Sequence, residues 1–139
     1  MKKIILSIAL LLLILAAAAQ KSATGIIRGK LYYDLGNKKS KTGADLKIYL
    51  IPKTAANTTV VKNASVYDAS CDEKMLCSAK NYKVTISDKG GYYYFTNVMQ
   101  GLYLIKICTY CGGYYSFTIK TNFRGTINLP DFEVDPPVR

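Results

Sequence analysis

The sequence predicts an all-β domain, a sandwich or barrel of seven short antiparallel strands. Three observations predict it. Apolar residues alternate with polar ones at a period of two through most of the chain after the N-terminal leader, the pattern of strands with one buried face. Gly, Asn, Asp and Lys punctuate the runs at the short intervals that antiparallel turns require. No amphipathic helical stretch of convincing length appears beyond the leader.

The elements follow in order. "MKKIILSIALLLLILAAAAQ" places two lysines before an apolar run from Ile4 to Ala19, with Ala17 and Ala19 preceding Gln20. This is the layout of a secretory signal peptide, and the run is short for a membrane span of ~20 residues. The expectation is a leader over 1–19 and a single domain over 20–139, exported to the periplasm or beyond and without a membrane span after cleavage. An uncleaved anchor is the alternative. In "GIIRGKLYYD", Ile27, Gly29, Leu31 and Tyr33 alternate with Ile26, Arg28, Lys30 and Tyr32. "ADLKIYLIP" aligns Leu46, Ile48 and Leu50, and "YKVTISD" sets Val84 beside Ile86. "YYYFTNV" opposes Tyr93 and Phe95 to Tyr92 and Tyr94. "LYLIKIC" aligns Tyr103, Ile105 and Ile107, and "YYSFTIK" aligns Tyr115, Phe117 and Ile119. The final run, "TINLPDFEV", is weaker, because Pro130 cannot donate to a ladder and suits an edge.

Residues 53–82 break the pattern. The segment is polar and reads as a long inserted loop, with a possible extra strand in "TTVVKNASVYD" and one helical turn in "DEKMLCSAK". Asn57 and Asn63 there begin N-x-[ST] sequons. The cluster "NKKSK" at 37–41 reads as a solvated loop between strands.

The stretch "SDKGGYYYFTNVMQGLY" carries a family resemblance. Ser87-Asp88, Gly91, Tyr93-x-Phe95, Asn97-Val98 and Gly101-x-Tyr103 fall in the order found in the carboxypeptidase regulatory-like domain. "GIIRGKLYYD" resembles that family's first strand, "KTGADLKIYLI" its second, and "GGYYSFTI" the strand after its Gly-Tyr pair. The resemblance covers about two-thirds of the chain, outside the leader and the insert. It implies a transthyretin-like, Greek-key β-sandwich that is non-catalytic and accompanies other proteins, in a fold similar to that of carbohydrate-binding domains. Met99-Gln100 stands where the family carries proline, and neither the 53–82 insert nor the cysteines have a place in its pattern.

Composition narrows the function further. The absence of histidine excludes Ser-His and Cys-His dyads and histidine metal ligands. No pair of acids has the spacing of a general acid/base couple, and no glycine loop cradles phosphate at a helix start. The expectation is a protein that is not an enzyme and holds no cofactor or metal. Asp131, Glu133 and Asp135 alternate along one run; a solvated strand edge is preferred to a weak calcium site. The net charge of +10 falls to +8 without Lys2 and Lys3, but the lysines are scattered and nucleic acid is set aside as a partner. Cys71, Cys77, Cys108 and Cys111 are an even count in an exported chain, which favours disulfides with three possible pairings. Zinc binding or redox chemistry at Cys108-x-x-Cys111 is the lesser reading, because that motif lies between strands and does not open a helix.

Function then rests on surface chemistry. The first expectation is a secreted module acting through protein or cell-envelope contacts. The alternative is a carbohydrate-binding module using the outward tyrosines Tyr92, Tyr94 and Tyr114, with Tyr32 extending the strip.

Overall fold

The computed structural model describes residues 24–35, 41–64, 72–108, 114–121 and 125–134. The expected leader, Cys71, Cys111 and Asp135 lie outside these residues, as do the side chains of 114–117, Tyr114 included.

The chain is a β-sandwich of two sheets. The described strands are β1 (Thr24–Tyr33), β2 (Lys41–Thr42), β3 (Lys47–Pro52), β4 (Lys83–Ile86), β5 (Tyr92–Met99), β6 (Gly101–Cys108), β7 (Tyr114–Thr121), β8 (Gly125–Asn128) and β9 (Phe132–Val134). The first sheet is organised around β1, which pairs antiparallel with β2 and β5 and parallel with β8 and β9. The second runs β4-β3-β6-β7, antiparallel throughout.

Two expectations are corrected here. Nine strands are described, not seven, because the last run divides at Pro130 and a two-residue strand forms at Lys41–Thr42, where only loop was expected. Pro130 has no N–H to give a ladder, so β8 and β9 flank it as separate pieces. The sheet is also not wholly antiparallel, since both pieces run alongside β1 in its own direction.

Alternation sorts the core as expected. Along β1, Ile27, Leu31 and Tyr33 are buried, while Ile26 and Arg28 face solvent. Along β5, Tyr93 and Phe95 are buried between exposed Tyr92 and Tyr94. Leu46, Ile48, Leu50, Ile105 and Ile107 meet them from the second sheet, and Tyr103 packs against the cluster. Tyr93 and Phe95 pack edge to face with centroids 6.2 Å apart, a favoured aromatic geometry.

The motif residues fasten these layers. Asp88 Oδ1 accepts the Gly90 and Tyr92 amides at 2.8 and 2.9 Å, closing the turn into β5. Gly91 sits at φ 79°, and a Cβ there would stand 2.3 Å from the Leu31 carbonyl oxygen, so only glycine fits. Buried Ser87 donates to the Gly43 carbonyl and accepts the Leu46 amide, joining the ends of β2, β3 and β4. At the β5–β6 corner, the Tyr103 and Thr121 hydroxyls both donate to the Met99 carbonyl at 3.0 Å. Side-chain bonds thus hold a corner at which the resembling family places proline.

The segment 53–82 is the main departure. Helix α1 (Ala55–Asn63) forms where loop was expected and takes in residues 58–63 of the proposed extra strand, residues 65–71 lying outside the described ones. The single turn α2 (Glu73–Leu76), by contrast, is the helical turn expected in "DEKMLCSAK". Thr54 caps α1 by accepting the Asn57 amide, and Asp72 caps α2 by accepting that of Met75, which satisfies orphan donors of the first turn. Thr58, Thr59, Val60 and Val61 are poor helix formers, so packing decides the outcome. Val61, Ala64, Leu76 and Ala79 bury themselves with Tyr49, Ile51, Leu104 and Cys108 of β3 and β6 in a second apolar cluster. The helices therefore cap the outer face of the second sheet. Asn57, 2 % exposed, donates from Nδ2 to the Pro52 and Lys80 carbonyls, and its Oδ1 accepts the Lys80 amide. Those bonds close the cap and remove Asn57 as a glycosylation acceptor, while Asn63 stays exposed.

Candidate functional site on the outer face of the first sheet

The outer face of the first sheet has no such cap among the described residues. β1 and β5 pair with Arg28 opposite Tyr94 and Lys30 opposite Tyr92. Strand alternation sends all four side chains outward. Beside them, on the other flank of β1, Arg28 pairs with Asn128 of β8. The chain then passes Leu129 to Asp131 before β9. These residues enclose an open groove of about 290 Å³, lined by Arg28, Lys30, Tyr92, Tyr94, Asn128 and Asp131. That is the small end of the ~300–1,000 Å³ typical of ligand sites.

Its walls are organised. The Lys30 ammonium lies 4.6 Å from the Tyr32 ring centroid and 4.7 Å from that of Tyr92, within cation–π reach of both. Tyr32 and, to a smaller extent, Tyr92 favour the charged amine and raise its pKa, against a lowering by burial. Arg28 Nε donates to Asn128 Oδ1, which fixes the guanidinium plane. Tyr94 is 49 % exposed and Tyr92 44 %. One face of the Tyr92 ring is taken by Lys30, so Tyr94 is the freer platform. Tyr94 also borders a second groove of about 290 Å³ along β4 and β5, lined by Val84 and Thr96 among others.

Of the tyrosines singled out by alternation, the structure brings Tyr32, Tyr92 and Tyr94 to one face. Sequence reasoning missed Arg28, Asn128 and Asp131 as neighbours of that strip. The outward position of Arg28 was legible in β1, whereas the arrival of Asn128 depends on a parallel pairing with no short-range signal. Asp131 and Glu133 are both exposed, as a solvated edge requires.

The other chemistry-bearing groups lie on the opposite side of the molecule. Cys77 is an exposed free thiol at the end of α2, contrary to the expectation that it is disulfide-bonded. Helix α2 directs it to Tyr82, whose pKa is raised chiefly by a hydrogen bond with Cys77. Cys108 is buried at the end of β6 and is not a free thiol. Lys47 Nζ donates to Glu73 Oε2. Lys106, fully buried, faces the capped side with Leu104, and burial holds its pKa down to about 8. Val84 and Ile86 share a face as expected, but it is the outer one, where they are 50 % and 57 % exposed. No described helix is long and apolar enough to cross a membrane.

These features define a β-sandwich module with one outer face capped and the other, among the described residues, open. No protein-family model matches the chain, including one for the carboxypeptidase regulatory-like domain, and no curated protein matches it in sequence. Solved structures do. A candidate carbohydrate-binding protein from Pseudomonas aeruginosa is similar over 83 % of this chain and 93 % of its own, with a TM-score of 0.52 at 17 % identity. A DUF3823 family protein from Parabacteroides merdae is similar over 84 % of this chain and 48 % of its own, with a TM-score of 0.50 at 11 % identity. The minor pilin GBS52 of Streptococcus agalactiae covers 85 % of this chain and 48 % of its own at a TM-score of 0.46 and 14 % identity. At such identities the likeness is one of β-sandwich fold.

Proposed function

We propose that the chain is an exported, non-catalytic module that binds a saccharide on the outer face of its first sheet. The domain is 20–139, freed of a leader at 1–19. The observation that carries the reading is the groove itself. A half-exposed ring, Tyr94, stands beside Tyr92, with cationic, amide and carboxylate groups converging around them. Sugar rings present apolar C–H faces that stack on aromatic rings, and hydroxyls that bond to polar groups at the rim. The fold likeness to a candidate carbohydrate-binding protein agrees with this reading.

A second reading, contact with a protein of the envelope, draws on a different observation. Val84 and Ile86 expose apolar side chains on β4, an end strand of the second sheet, and exposed strand edges accept further strands. The two readings separate on a glycan array probed with the wild-type chain and Tyr94→Ala. Saccharide binding lost in the variant supports the first; the absence of any bound saccharide defeats it and leaves the β4 edge.

A further inference from the structure

We propose that the groove selects a sugar bearing a carboxylate, a uronic acid residue, and that Arg28 is the group that receives it. The inference rests on the saccharide reading and specifies its ligand class.

Arg28 carries the argument. Its Nε is committed to Asn128 Oδ1, and among the described residues it forms no ion pair. The two terminal nitrogens have no hydrogen-bond partner among the described residues, and Arg28 lines the groove. A guanidinium is a rigid planar fork, and its two parallel N–H donors match the two oxygens of a carboxylate. Pre-orientation by Asn128 reduces the ordering cost of that contact.

The neighbours reinforce this chemistry. Lys30 lies two residues along β1 on the same face and adds a second positive charge, held in place by the rings of Tyr32 and Tyr92. Asp131, at the β8–β9 connection, lines the same groove. It repels a ligand carboxylate and accepts from ring hydroxyls, so it orients the acid group of a bound sugar towards Arg28. Tyr94, opposite Arg28 across the β1–β5 pair, supplies a ring for the sugar's C–H face beside the fork. Two cations, one acid and one open ring suit an acidic sugar better than a neutral one.

The test uses oligomers of galacturonate, glucuronate and mannuronate, each beside its carboxyl-reduced, neutral counterpart, titrated calorimetrically into the 20–139 chain. At least one acidic oligomer is expected to bind ten-fold or more tightly than its reduced partner. Arg28→Gln should abolish that preference, so that the acidic oligomer binds no more tightly than its neutral counterpart. Arg28→Lys, which keeps the charge but not the fork, should lose most of it, and Asn128→Ala part of it. Melting temperatures within a degree or two of wild type confirm that the variants fold, as befits exposed positions. Equal affinity for acidic and reduced oligomers overturns the carboxylate inference and leaves the saccharide reading standing. A preference that survives Arg28→Gln overturns the role of Arg28. Binding of none of the oligomers, acidic or neutral, overturns the carboxylate inference, while the saccharide reading is decided separately by the glycan array.

Discussion

The two outer faces of the sandwich solve the same problem in opposite ways. Each sheet has an inner side facing the shared core and an outer side whose fate that core does not decide. On the second sheet, Tyr49, Ile51 and Leu104 point outward and are covered by α1 and α2. On the first, Tyr92 and Tyr94 point outward and stay about half exposed. The capped face spends its aromatic and apolar groups on stability; the open face leaves them accessible. Large side chains that a fold does not bury are the ones to examine for binding, and here they adjoin Arg28, Lys30 and Asp131.

The largest effect that sharpens this contrast lies in the cap. Leu76→Ala removes a fully buried side chain from the second cluster and should destabilise the domain by about 2–4 kcal/mol in urea titrations. A change below ~0.5 kcal/mol, the scale of surface substitutions, would show that the cap does not contribute to the fold. Asn57→Ala should come next, at about 2–3 kcal/mol, because it leaves the Pro52 and Lys80 groups it satisfied without a side-chain partner.

Lys106 gives a smaller and pH-dependent effect. Its folded-state pKa, about 8, lies below the ordinary 10.5 because burial disfavours the charge. Between those values the unfolded chain binds more protons than the folded one, so stability rises with pH across that window and this contribution is flat below it. Subtracting the pH profile of Lys106→Met from that of wild type should isolate a rise on the order of 2 kcal/mol between pH 8 and 10.5. Parallel profiles would mean that the amine titrates normally.

How much of this was legible in the sequence differs between the same two faces. The split of "YYYF" into inward Tyr93 and Phe95 and outward Tyr92 and Tyr94 follows from a period of two, and the structure reproduces it. Ser87, Asp88 and Gly91 were legible because turn chemistry is local. The cap was not. Its helix begins at a Thr54 cap but runs through Thr58, Thr59, Val60 and Val61, whose weak helix propensity hides it, and packing on β3 overrides that preference. One signal was available. "KIYLIP" is apolar on both faces, as expected of a strand covered on two sides, and β3 is buried from Ile48 to Ile51. On the open face, the tyrosine strip was visible but its polar neighbours were not. Asn128 and Asp131 reach Arg28 only through the parallel β1–β8 pairing and the break at Pro130, about a hundred residues away in sequence, and no local pattern encodes such a meeting.

The smallest expected change in stability accompanies the largest expected change in function. Tyr94 is half exposed and belongs to neither core cluster, so Tyr94→Ala should alter unfolding free energy by less than ~0.5 kcal/mol. The most direct measurement is therefore saccharide affinity and thermal stability of this one variant, determined side by side with wild type on the glycan that wild type binds best. The open face predicts binding reduced at least ten-fold with an unchanged melting temperature. Undiminished binding, or a loss of binding that merely tracks unfolding, would contradict the assignment of that face as the site.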